Sequence, residues 1–124
     1  MHKYLFFLSI LMVISLSAIS QSNPSEEKVK TMLCHKWKAV SIEVQGEKEL
    51  PEEDLIITFL IDGTFIDSQE GTKPNKEKWE YNHEKMTITT GDVKKKILTI
   101  NEHELRLSTN IADEIMIVTL KRVD

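Results

Sequence analysis

Glu104-Leu105-Arg106-Leu107-Ser108-Thr109-Asn110-Ile111-Ala112-Asp113-Glu114-Ile115-Met116-Ile117-Val118-Thr119-Leu120-Lys121-Arg122-Val123 is the stretch that decides the fold. Leu105 and Leu107 alternate with polar residues. Ile115 and Ile117 repeat at the same interval, and Met116, Val118 and Leu120 do so in the opposite phase. A period of two is the signature of a strand, so two strands are expected, Glu104–Asn110 and Glu114–Val123. Ala112-Asp113 turns the chain between them. So short a connection joins antiparallel neighbours only, because a parallel crossover needs about a dozen residues or more.

The same period extends back to Lys36. It predicts six earlier strands at Lys36–Val44, Asp54–Ile61, Thr64–Ser68, Lys78–Tyr81, Lys85–Thr90 and Val93–Ile100. Asp62-Gly63 is the sharpest turn signal, since glycine accepts the positive φ of a tight hairpin. Asn82-His83-Glu84, Gly91-Asp92 and Asn101-Glu102-His103 mark further turns. No second helical pattern exists to cover a parallel sheet. The expected fold is therefore all-β, an eight-stranded antiparallel up-and-down barrel whose closure removes two raw edges. A flattened sandwich of the same strands is the alternative.

Ahead of the strands, Asn23-Pro24-Ser25-Glu26 predicts a short N-terminal helix, with Asn23 as cap and Pro24 at the first helical position. Val29, Met32 and Leu33 share its apolar face. Residues 1–20 carry a different pattern. Met1-His2-Lys3 is a basic start, Tyr4–Leu16 is apolar except for Ser9 and Ser15, and Ser17-Ala18-Ile19-Ser20 ends in small residues. That is a secretory signal with cleavage expected at Ser20–Gln21. The apolar run is shorter than the roughly 20 residues of a membrane span. The expected organisation is a signal peptide, 1–20, and one barrel domain, 21–124, exported to the periplasm or beyond, with no transmembrane segment in the mature form.

The full chain has 124 residues, 40% hydrophobic and 29% charged, with a formal net charge of -4. One domain of ordinary globular composition fits these values. A nucleic-acid partner is not expected, because such binders present a basic surface. Cys34 is the only cysteine. It lies too far past the expected cleavage point to carry a lipid anchor and has no internal disulfide partner. A buried, inert thiol is the favoured reading over an intermolecular disulfide.

The chain resembles the small lipocalin-like domains of exported bacterial proteins. The resemblance rests on Leu33-x-His35-x-Trp37, on Ile57-Thr58-Phe59-Leu60-Ile61-Asp62-Gly63-Thr64-Phe65, on Trp79, and on the closing Leu105–Leu107 and Ile117–Arg122 segments. It spans about residues 32–123. His35 stands where the lipocalin opening has glycine. The resemblance implies a calycin-like barrel, often closed at one end by a short helix and sometimes holding an apolar ligand. It implies no activity.

Trp37, Phe59, Phe65, Trp79 and Leu107 are the candidate ligand-lining residues, on the expectation that they face inward. A core packed by those side chains is the competing and favoured outcome, since an eight-stranded barrel is only just wide enough for one small ligand. The loop Gln45–Glu53, with Leu50-Pro51, reads first as a solvated connection and second as a lid over the mouth. Lys94-Lys95-Lys96 places Lys95 opposite its neighbours on the strand. Protection of a strand near an edge or rim is the favoured account, and an anchor for an anionic ligand is the other. His35, His83 and His103 lack the spacing of metal ligands, so neither metal nor cofactor is expected. No nucleophile elbow, phosphate loop or zinc motif is present. The leading expectation is a noncatalytic binding module for a small apolar or amphipathic ligand. The alternative is a packed module that binds a protein partner through its loops.

Overall fold

The computed structural model describes residues 25–69 and 71–124. The expected signal peptide and the Asn23-Pro24 helix start lie outside the described residues. The helix, α1, spans Glu26–Leu33, and its N-cap is Ser25 rather than Asn23. The Ser25 hydroxyl accepts a hydrogen bond from the Lys28 amide at 3.2 Å. Glu26 and Glu27 in the first turn and Lys30 in the last complement the helix dipole. Val29 and Leu33 are fully buried, which docks a helix too short to stand alone.

Nine strands follow: β1 (Lys36–Val44), β2 (Glu47–Glu49), β3 (Leu55–Phe59), β4 (Thr64–Gln69), β5 (Asn75–Asn82), β6 (Thr87–Thr90), β7 (Val93–Ile100), β8 (Glu104–Ile111) and β9 (Glu114–Arg122). All neighbours are antiparallel. Pairing runs in chain order from β3 to β9, β1 pairs with β3, and β9 returns to β1 from Trp37↔Arg122 to Val44↔Met116. The result is a closed eight-stranded antiparallel barrel with a short helix before its first strand. β2 is an addition to it, pairing with Ile42–Val44 through a turn at Gln45-Gly46. The expected loop Gln45–Glu53 is thus partly a hairpin. Both turn residues have positive φ, 52° and 84°, the geometry of a tight hairpin.

Other boundaries differ for local reasons. β6 starts at Thr87 instead of Lys85, because Met86 sits at φ 53° within the turn. Bulges at Val40 and Leu98 insert one extra residue into β1 and β7, and both bulged side chains turn outward. After each bulge the inward phase resumes one residue later, so Trp37 and Ala39 are followed inside by Ile42.

The end of the barrel carrying α1 is solidly packed. Trp37 is fully buried, and its indole N–H donates to the Leu33 carbonyl at 3.0 Å, tying helix to strand. Phe59 packs edge-on against Trp79 with ring centroids 5.2 Å apart, and the Trp79 indole N–H donates to the Leu60 carbonyl at 2.9 Å. Ile88, Leu105 and Leu120 fill the space between. Each such side chain, fully buried, contributes about 1.5–3 kcal/mol. Beneath them Asp124 accepts from Arg122 Nε at 3.0 Å and from the Lys36 amide at 3.2 Å, with His35 Nδ1 at 3.3 Å. Those contacts clasp the end of the last strand to the start of the first.

Candidate functional site

The opposite half of the barrel is not filled. A cavity of about 180 Å³ lies between β3–β4 on one side and β7–β9 on the other. Its wall is made by Leu55, Ile57, Phe65, Leu107, Met116, Val118 and Leu120, with Thr109, Asp67 and Lys95 as the polar members. Strand alternation produces the lining: Leu55 and Ile57 on β3, Phe65 and Asp67 on β4, Leu107 and Thr109 on β8, and Met116, Val118 and Leu120 on β9 each step by two. Ladder pairing keeps them on one face, as in Leu107↔Val118 and Thr109↔Met116. β1 supplies none of the lining side chains, although Ala39 stands opposite Leu120 and Ile42 opposite Val118 in the ladder. Close packing leaves few voids, so a hollow beside a solid core marks a place where bulk has been withheld.

Of the five candidate lining residues, the structure brings Phe65 and Leu107 to this cavity. Trp37, Phe59 and Trp79 face inward but belong to the packed end, where the two tryptophans spend their N–H groups on backbone carbonyls.

The edge half of the favoured account of the lysine run does not hold for Lys95. β7 is hydrogen-bonded on both sides, to β6 and to β8, and has no free edge to protect. Lys95 lies on the inward face opposite Ile88 and Thr109, and its Nζ stands 4.8 Å from the centroid of the Phe65 ring. That is a cation–π distance. The signal was present in the sequence, since Val93, Lys95 and Ile97 share one phase, as do Phe65 and Asp67. Asp67, Met116 and Val118 were not singled out, because an acid within a strand and a methionine on an aliphatic stripe both read as ordinary surface and core.

The charges at the cavity shape one another. Burial pushes the Lys95 ammonium below the usual lysine range, and the nearby acids Asp67 and Glu77 pull it partly back up. Burial pushes the Asp67 carboxyl above the usual aspartate range; Lys95 draws it down and Glu77 drives it further up. Among the described residues, no carboxylate oxygen lies within 4.0 Å of Lys95 Nζ. A partly desolvated ammonium with no close anion is costly, and a ligand that supplies one is favoured there.

Two of the other clefts differ in character. One of about 540 Å³ lies outside the barrel between α1 and β5, lined by Glu27, Lys30, Ile61 and Glu80 among others. Another, of about 410 Å³, lies between Leu55 and the segment Glu49–Glu53. Leu50 is 81% exposed there, so it does not plug the barrel mouth in the way a closed lid would. Both clefts mix charged and apolar groups, whereas the interior cavity is mainly apolar with a few polar groups, the usual make-up of a small-molecule site. Among the described residues, no group of three or more histidine, cysteine or acidic side chains is placed to hold a metal ion. No helix among them is long and apolar enough to cross a membrane.

No family model, curated protein or solved structure matches this chain. The closed antiparallel barrel is consistent with a calycin-like architecture.

Proposed function

We propose that this chain is an exported, noncatalytic lipocalin-like binding module that takes a small apolar or amphipathic ligand into the open half of its barrel. One observation carries the reading: a cavity of about 180 Å³, walled by seven apolar side chains, inside an otherwise well-packed barrel. An apolar cavity of roughly 150 Å³ is known to stay dry and accept a benzene-sized guest, whereas drug-sized ligands occupy about 300–1,000 Å³. The ligand is therefore small, or only its tail is held. Export rests on the residue 1–20 pattern, and the lipocalin-like assignment on the resemblance together with the barrel.

Native mass spectrometry of the protein purified from its host tests the reading. A small bound molecule is expected, and Val118→Phe, which fills the cavity from β9, should release it while the β-sheet circular dichroism is unchanged. The methyl resonance of Met116 is the better solution probe, because Trp37 and Trp79 lie in the packed end and report poorly on the cavity. No bound species, and no Met116 shift with any apolar probe, would reject ligand binding.

A second reading, a protein-interaction module, is favoured by two apolar side chains held out on connecting segments, Ile61 at 77% exposure and Leu50 at 81%. Crosslinking in cells tests it. Capture of one specific partner that is lost with Ile61→Ser or Leu50→Ser would support it over the cavity reading.

A further inference from the structure

Two side chains of opposite charge line one small apolar cavity, near enough to feel each other's charge but, among the described residues, without a close ion-pair contact. Lys95 on β7 and Asp67 on β4 both line it, and among the described residues neither side chain makes an ion pair or a hydrogen bond. Glu77 on β5, the other acid of the cluster, differs. Its Oε1 accepts from Asn75 Nδ2 at 3.3 Å, and its carboxylate lies against the Gly91 turn at the rim. Thr109, 4% exposed, stands directly opposite Lys95 in the ladder and brings a hydroxyl to the same level.

Charge balance selects the guest. A simple anion would answer Lys95 but set a third negative charge beside Asp67 and Glu77. A simple cation would answer the acids but meet Lys95. A zwitterion gives the two lining charges, Lys95 and Asp67, one opposite partner each and adds no net charge, leaving Glu77 with Asn75. Size sets the rest. At about 30 Å³ for each water-sized heavy atom, 180 Å³ holds on the order of six. We infer that the cavity is the site of an α-amino acid with an aliphatic side chain, its carboxylate on Lys95, its ammonium on Asp67 and its side chain among Leu55, Leu107, Met116 and Val118. The inference rests on the proposal that the cavity binds a ligand, and names the class of that ligand.

A set of four-carbon probes with different head groups tests it on the unmodified protein: 2-aminobutyrate, butyrate, butylamine and butan-1-ol, each followed by titration calorimetry and by the Met116 methyl shift. 2-Aminobutyrate should bind at least about tenfold tighter than each of the other three. Lys95→Met should erase its advantage over butylamine, and Asp67→Asn its advantage over butyrate, with butan-1-ol binding unchanged in both. Equal binding of all four, or a preference for butyrate or butylamine, overturns the zwitterion site while leaving ligand binding standing. Failure of all four to bind at the cavity removes both. The comparison of probes on the unmodified protein decides the matter even if a variant does not fold.

Discussion

The two halves of this barrel are built from the same strands and do opposite things. At the helix end, buried side chains close-pack, indole N–H groups find carbonyl partners, and Asp124 closes the base. At the other end the same strands hold Val118, Met116, Leu107 and Leu55 apart around a void, and a lysine is tolerated inside. A closed barrel needs only one solid end to fix its register, which leaves the other end free to be hollow.

The contrast is open to direct attack. Trp37→Ala, at the solid end, removes a fully buried side chain and a hydrogen bond to Leu33. It should cost about 3–5 kcal/mol in urea unfolding. Met116→Ala at the hollow end should cost clearly less, because the side chain is only half-buried and already borders a cavity. Equal losses would mean that the two halves are packed alike. Overpacking separates them by sign. Ile88→Phe at the solid end should destabilise by about 1–3 kcal/mol. Val118→Leu should instead raise stability by about 0.5–1 kcal/mol by filling the void. Ser25→Ala removes the helix cap and should cost about 1 kcal/mol, with the loss confined to hydrogen-exchange protection of α1 and the strands it covers.

The smallest effect expected is on acid response. Asp124 is held below the usual carboxylate range: the cost of its desolvation, which acts upward, is outweighed by hydrogen bonds from Arg122, the Lys36 amide and His35. Its contribution is complete above the ordinary aspartate value and is lost as pH falls through the lower, folded value. Asp67 runs the other way. Burial raises its carboxyl, so its charge weighs against the fold at neutral pH, and protonation on descending through the raised value relieves it. Melting temperatures across pH should therefore lose part of their acid-side fall in Asp124→Asn and part of their acid-side relief in Asp67→Asn. Parallel curves for both variants would show that neither carboxyl is coupled to folding.

Much of the architecture was legible because antiparallel strands leave local marks. The alternation of Leu105/Leu107 and the two opposed phases Ile115/Ile117 and Met116/Val118/Leu120 mark strands, though not which phase of the last one faces inward, and Asp62-Gly63 announces a turn that the structure builds with Gly63 at φ 94° and the Thr64 amide on Asp62. β2 was not legible, since Glu47-Lys48-Glu49 buries nothing and is a strand only through its ladder to β1. The cavity was half legible. Phe65 and Leu107 were among the candidate lining residues, but hollowness depends on how walls from opposite sides of the barrel meet, and no single strand records that. Lys95 was misjudged because a lysine run suggests an edge, and whether a strand has a free edge is known only once its neighbours are placed.

The pairing of β1 with β9 carries a consequence for how the protein is made. Trp37 meets Arg122, so the first strand waits for the last, and every earlier pairing leaves an open curl with two sticky borders. Contacts so distant in sequence are slow to form. A chain still emerging from the ribosome has no cylinder to close. Interception at that stage, by a chaperone or by another copy of itself, would come through the exposed backbone of Lys36–Val44.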